Sequence, residues 1–92
     1  MSEQRGYCVE GRVQGVGFRW WVRRWGLDLG LCGNVCNRPD GSVEVQVSGS
    51  VEQLEALEKA LWNGPPISRV DAVDSVPPAG GIPEGGFLIE GR

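Results

Sequence analysis

A change in hydrophobic period across a glycine-containing segment is the feature that most constrains how this chain can fold. Over residues 7–13 apolar and polar side chains alternate, which is the period-2 pattern of a strand with two unlike faces. After Phe18 the period lengthens to about 3.6 residues, which is typical of an amphipathic helix. The sequence therefore predicts a strand that enters a helix through the short run QGVG (14–17). The apolar stripe of this helix consists of Phe18, Trp21, Val22, Trp25 and Leu29.

The segment between the predicted strand and helix has the composition of an anion-binding nest. Gly15 and Gly17 lack side chains, so they can adopt left-handed conformations and direct backbone N–H groups toward one point. The first turn of the helix adds unpaired N–H groups and the positive end of its dipole. The segment has neither the GxxxxGK[ST] pattern nor the third glycine of a dinucleotide fingerprint. We therefore expect it to bind an oxyanion such as phosphate.

The remainder of the chain predicts a hairpin, a second helix and two further strands. Asp40-Gly41 is a hairpin turn signal between two strand-like segments. Ser50 and Gln53 have the spacing of a capping box, and the leucines that follow have helical spacing. These elements are predicted at 31–37 and 43–48 (strands), 51–62 (helix), 70–76 (strand), 77–86 (an exposed loop rich in proline and glycine) and 87–90 (a short edge strand).

The order of these elements indicates an α+β fold. Strands that carry one apolar face must bury it against the two amphipathic helices. This requirement favours a ferredoxin-like βαββαβ sandwich, in which one antiparallel sheet has both helices on one face and a short extra strand at its edge. Because 92 residues have room for one core, we expect a single domain over residues 1–92.

Two segments of the chain closely resemble the signature blocks of the acylphosphatase family. The first is GRVQGVGFR (11–19), and the second has the pattern GLxGxVxNxxDGxVEV over residues 30–45. The resemblance extends over most of the chain, including Gly64-Pro65-Pro66 and the last strand. It implies a ferredoxin-like fold and the hydrolysis of acyl phosphates to a carboxylate and inorganic phosphate.

The resemblance also implies roles for individual residues. Arg19 matches the family arginine that binds the substrate phosphate, and Asn37 matches the asparagine that positions the nucleophilic water, so both are predicted to be catalytic. A guanidinium fork can bind two phosphoryl oxygens, and an amide can hold a water without competing as a nucleophile. The predicted phosphate-binding residues, mostly through backbone N–H groups, are Gln14, Gly15, Val16, Gly17, Phe18 and Arg19.

Acyl phosphate chemistry suits a site in a chain that has no histidine. An alkyl phosphate ester has a poor leaving group, so its cleavage needs a general acid or a metal ion. An acyl phosphate instead releases a carboxylate, whose conjugate acid has a pKa of about 4. Positioning and charge stabilisation can then supply most of the catalysis, and we expect neither a metal nor a cofactor.

Composition limits the classes of partner. Nine basic and twelve acidic residues give a net charge of −3, which argues against broad nucleic-acid binding. No apolar run approaches the roughly 20 residues of a membrane span, and the N-terminus lacks the layout of a signal peptide. We expect a cytoplasmic monomer that binds a small acyl phosphate and inorganic phosphate. In a reducing compartment Cys8, Cys32 and Cys36 are expected as buried or half-buried thiols, with a redox-sensitive Cys8 or Cys36 as the alternative.

Two other functions are compatible with this order of elements. One is a binding module that recognises phosphate-bearing ligands or RNA without turnover. RNA-binding members of the architecture display aromatic residues on central strands, whereas Tyr7 is the only aromatic residue in the first three predicted strands. The other is the acylphosphatase-like domain of a larger carbamoyl-transferring maturation protein.

Three positions depart from the family pattern. Gly26 stands where alanine is usual, Asn34 where many members have an aromatic residue, and Cys36 where a basic or polar residue is common. Gly26 is expected to cost the first helix up to about 1 kcal/mol relative to alanine. Of the tryptophans on this helix, Trp21 and Trp25 fall on the apolar stripe and are expected to pack in the core and along the helix face. Trp20 lies off the stripe and is expected to be partly exposed.

Overall fold

The computed structural model describes residues 2–91, over which the chain forms two helices and one five-stranded sheet. The elements are β1 (Glu3–Arg12), α1 (Phe18–Asp28), β2 (Cys32–Asn37), β3 (Val43–Gly49), α2 (Val51–Asn63), β4 (Arg69–Val76) and β5 (Phe87–Glu90). This is the predicted ferredoxin-like sandwich. The main difference in boundaries is β1, which begins earlier than predicted because Glu3 already pairs with Gly49 of β3.

The strand order in the sheet is β4-β1-β3-β2-β5. The first four strands in the chain pair with one another in antiparallel orientation, as predicted. The predicted edge strand β5 is present and pairs in parallel with β2, with Gly33 opposite Phe87, so the sheet is mixed. The parallel pairing follows from the chain path, because β5 runs back in the direction opposite to β4 after the chain has crossed the sheet.

The hydrophobic core lies between the sheet and the two helices. Alternate residues of the central strands face this layer, and the helices contribute residues at helical spacing. No helix within residues 2–91 is long and apolar enough to cross a membrane. The largest fully buried side chains are Tyr7, Phe18, Phe87, Leu54, Leu57, Leu61, Val9, Val13, Val22, Val35, Val43 and Val45.

The predicted capping box starts α2. The Gln53 N–H donates to Ser50 Oγ at 3.2 Å, and the Ser50 N–H donates to Gln53 Oε1 at 2.8 Å. The Gln53 amide also donates through Nε2 to the Leu29 carbonyl at 2.8 Å, just after α1 ends. One side chain therefore caps α2 and joins it to the end of α1.

The segment 77–86, here called the strap, crosses the face of the sheet opposite the helices. Asn34 and Gln46 are paired across β2 and β3 on this face, since the next residue along each strand points into the core. Asn34 Nδ2 donates to the Gly81 carbonyl at 3.3 Å, and the Ala79 N–H donates to Gln46 Oε1 at 2.8 Å. The strap is exposed on its outer side, as predicted, but its inner side buries these two amides. Asn34 therefore anchors the strap instead of packing as an aromatic residue would.

Helix α1 approaches the sheet closely at Gly26. A Cβ at Gly26 would lie 2.3 Å from Cε2 of Phe87, and a Cβ at Gly33 of β2 would lie 2.9 Å from the same atom. The ring of Phe87 thus occupies the space that two side chains would otherwise fill. Alanine at Gly26 would improve helix propensity but collide with this ring. Because Gly26 faces the sheet, Trp25 lies outside the core and is 37% exposed. It packs instead along the helix face against Trp21, with ring centroids 6.1 Å apart.

We expect Gly26→Ala to destabilise the protein by about 1–3 kcal/mol, because overpacking outweighs the gain in helix propensity. Chemical denaturation would measure the free energy of unfolding. Gly85→Ala is the matched control, because a Cβ there meets nothing within 4 Å. In a Phe87→Leu background the same substitution is expected to cost less. An equal cost in both backgrounds would show that the Phe87 ring is not the cause.

Candidate active site

The loop between β1 and α1 is shaped by glycines and anchored by buried side chains. Gly15 and Gly17 have φ values of 74° and 78°, a left-handed conformation that costs other residues about 1–2 kcal/mol. Between them Val16 is buried, and Phe18 at the first position of α1 is buried as well. The exposed glycines therefore form the outer surface of a loop whose apolar residues hold it against the core.

Helix α1 begins without a side-chain cap. Gly17 is the N-cap residue, and the first turn contains no acidic residue. The N–H groups of this turn and the positive end of the helix dipole are thus not offset by an oxygen from an N-cap side chain. Such a helix start favours a bound anion.

Arg19 lies in this first turn and is half-buried. Its Nη1 donates to the Glu90 carbonyl of β5 at 3.3 Å. Within residues 2–91 Arg19 forms no ion pair; the pairs in this part of the chain are Arg5–Glu3, Arg38–Glu44 and Arg69–Asp71. A carbonyl restrains the guanidinium without cancelling its positive charge, so the charge remains available to an anion.

Asn37 is the last residue of β2, where the hairpin turn begins. The turn is closed by the Arg38 N–H, which donates to the Ser42 carbonyl at 2.8 Å. Asp40 accepts hydrogen bonds from the Ser42 hydroxyl at 2.6 Å and from the Ser42 N–H at 3.0 Å. These hydrogen bonds lower the pKa of Asp40, so its carboxylate stays ionised and holds the turn.

The side chain of Gln14 joins the loop to the hairpin. Its Nε2 donates to the Arg38 carbonyl at 2.8 Å and to the Ser42 carbonyl at 2.9 Å. Both carbonyls belong to the turn that follows Asn37, so Gln14 sets the distance between the glycine loop and the end of β2. The sequence pattern predicts only a backbone N–H role for Gln14. No local pattern reveals this bridge, because its two ends are 24 and 28 residues apart.

A cleft of about 110 Å³ lies where the loop, α1 and β2 meet. It brings together five of the predicted site residues, whereas Val16 is in the core and Gln14 lies in a neighbouring hollow. Val13 and Trp20 also line the cleft and are not among the predicted site residues, although Trp20 is predicted to be partly exposed. The cleft is lined by Val13, Gly15, Gly17, Phe18, Arg19, Trp20 and Asn37.

Of the residues that the structure describes, no cysteine lines this cleft. Burial raises the pKa of the neighbouring Cys36 thiol, and the charges of Glu44 and Glu90 raise it further, so the thiol stays protonated at neutral pH. Within residues 2–91 no group of three or more histidine, cysteine, aspartate or glutamate side chains is placed to hold a metal ion.

Comparison with known proteins identifies the family. The acylphosphatase family model matches residues 5–89. The chain is 49% identical over 90 residues to an acylphosphatase from Koribacter versatilis, covering 98% of this chain and 82% of that one. The crystal structure of acylphosphatase from Bacillus subtilis superposes with a TM-score of 0.83 at 37% identity, covering 98% of this chain and 99% of that one. An acylphosphatase structure from Coxiella burnetii gives a TM-score of 0.86 at 31% identity, covering 97% and 93% of the two chains. The chain therefore belongs to the acylphosphatase family and is a hydrolase of that class.

Proposed function

We propose that the chain hydrolyses the carboxyl–phosphate bond of small acyl phosphates, with the glycine loop and Arg19 binding the phosphoryl group and Asn37 positioning the attacking water. The observation that carries the proposal is that Gly15, Gly17, Arg19 and Asn37 line one cleft, although they come from a loop, a helix and a strand. The products are a carboxylate and inorganic phosphate.

The phosphoryl group is bound by donors that are already oriented. The left-handed glycines line the cleft, a conformation in which backbone N–H groups can converge on an anion, and the uncapped first turn of α1 adds further N–H groups. Arg19 uses one nitrogen for the Glu90 carbonyl and retains the other donors of its fork for phosphoryl oxygens. Charge that develops on these oxygens in the transition state is thus stabilised without rearrangement of the protein.

The leaving group determines what the site does not need. The departing carboxylate is a weak base, so no acid has to protonate it and no metal ion has to stabilise it. A water held in line with the breaking bond is sufficient. The Asn37 amide can accept a hydrogen bond from this water and direct a water lone pair to phosphorus.

The first test measures the rate at which the parent protein and the Arg19→Gln variant hydrolyse acetyl phosphate. A chelator is present to remove metal ions. The parent is expected to hydrolyse acetyl phosphate and to leave an alkyl phosphate monoester largely intact. Arg19→Gln is expected to lower the rate by about 10³-fold or more, as for other arginines that stabilise phosphoryl transfer. Arg19→Lys keeps the charge but loses the fork, so its rate should fall between the two.

The matched control for Arg19 is Arg24→Gln. Arg24 is an exposed arginine on the same helix, and it does not line the cleft. Its replacement removes the same charge and is expected to leave turnover nearly unchanged. Equal losses in the two variants would assign the effect to net charge and remove Arg19 from the mechanism.

Asn37→Ala is expected to lower kcat by roughly 10²-fold or more while changing the affinity for inorganic phosphate little, because orientation of water contributes mainly in the transition state. Initial rates and competitive inhibition by phosphate would separate the two effects. Asn63→Ala, at the exposed end of α2, serves as a control for loss of an amide. A fall in stability large enough to explain the lost activity would instead identify Asn37 as a turn-forming residue.

Gln14→Ala is expected to lower the free energy of unfolding by about 1–2 kcal/mol, because it removes two hydrogen bonds between the loop and the hairpin. It should also lower kcat, since the position of Asn37 relative to the phosphate is no longer fixed. Thermal unfolding and turnover would be measured beside Gln4→Ala, a control at an exposed position of β1. Unchanged stability would contradict the bridging role.

A further inference from the structure

Trp20 occupies an unusual place for a large apolar side chain. It lies off the buried stripe of α1, is 65% exposed, and forms part of the wall of the phosphate cleft next to Arg19. Isolated exposed apolar residues need no explanation on a protein surface, but this one borders a site for a small substrate. Phe18, the other aromatic residue of the cleft wall, is only 1% exposed, so its ring belongs to the core.

The indole of Trp20 contacts a charged side chain one turn along the helix. The Arg23 guanidinium carbon lies 5.9 Å from the centre of the Trp20 ring, in a cation–π contact. Arg23 is itself fixed, because its Nε donates to the Phe87 carbonyl of β5 at 2.9 Å. The contact favours one orientation of the ring before any ligand binds, which lowers the entropy lost when a substrate packs on it.

The direction of the reaction separates the water from the acyl group. In an in-line displacement the attacking water and the leaving oxygen lie on opposite sides of phosphorus. Asn37, which holds the water, also lines the neighbouring hollow of about 390 Å³ with Gln14, Arg38, Pro39 and Gly91. In the proposed mechanism Asn37 holds the water, which places that hollow on the water's side of phosphorus. The leaving acyl group consequently points away from the hollow and from Asn37. It points toward the rest of the cleft wall, which includes Trp20.

We propose that Trp20 is a specificity-determining residue that packs against the acyl group and contributes selectivity for planar acyl groups. This inference rests on the proposed hydrolysis of acyl phosphates. A flat ring offers the largest contact area to another flat ring, and aromatic pairs are more favourable than their buried area alone accounts for. Trp20 touches the part of the substrate that does not react, so it acts on selectivity and not on the chemical step.

The test compares benzoyl phosphate with acetyl phosphate. For Trp20→Ala the ratio of kcat/KM for benzoyl phosphate to kcat/KM for acetyl phosphate is expected to fall by about 3- to 10-fold relative to the parent. Trp20→Phe keeps an aromatic face and should retain most of the ratio. Trp62→Ala removes another exposed tryptophan, 48% exposed on α2, and should leave the ratio unchanged. Thermal unfolding of each variant confirms that the fold is intact.

Binding without turnover gives a second measure. The affinity for phenylphosphonate relative to methylphosphonate should fall in Trp20→Ala, while inhibition by inorganic phosphate stays within about twofold. Equal losses for both acyl phosphates, or an unchanged ratio, would overturn the assignment of Trp20 even if the parent is active. A parent that hydrolyses neither acyl phosphate would instead overturn the proposed function, and the phosphonate ratios would still report on Trp20.

Discussion

The packing of the Phe87 ring between Gly26 and Gly33 joins the three elements on which the candidate active site depends. Gly26 belongs to α1, which carries Arg19, and Gly33 belongs to β2, which ends at Asn37. Phe87 starts β5, whose Glu90 carbonyl accepts the Arg19 hydrogen bond. A dense apolar contact of this kind has little freedom to relax, so it sets the distance between helix and sheet. The separation of the guanidinium from the end of β2 follows from that distance.

The polar groups around the cleft are restrained mainly by neutral partners. Gln14 reaches two carbonyls of the hairpin turn, Arg19 reaches a third carbonyl, and Arg23 reaches a fourth. Had carboxylates held these arginines, their charge would be largely offset and an anionic ligand would have to compete for them. Carbonyl partners orient the side chains while leaving the positive potential of the site intact. This arrangement suits a ligand that brings its own negative charge.

Elements whose sequence signal lies within a few neighbouring residues could be predicted from the sequence. The switch in hydrophobic period located β1 and α1, Asp40-Gly41 located the hairpin, and the Ser50–Gln53 box located α2. The sequence was silent on contacts between residues far apart in the chain. The closeness of α1 to Phe87, the bridge from Gln14 to the hairpin and the burial of Asn34 under the strap depend on the assembled sheet. Gly26 is an example. Glycine has a low helix propensity, and the reason for a glycine at this position is the close packing of α1 against Phe87.

The strap has a consequence for association between copies of the chain. By carrying the chain across the sheet it places β5 along β2, which would otherwise offer its outer row of N–H and C=O groups at the sheet margin. The new margin is only four residues long. A margin this short is a poor template for a strand from another molecule, and short edge strands are one way in which proteins avoid aggregation through open sheets. The strap thus protects the side of the sheet nearest Asn37 from cross-molecule strand addition.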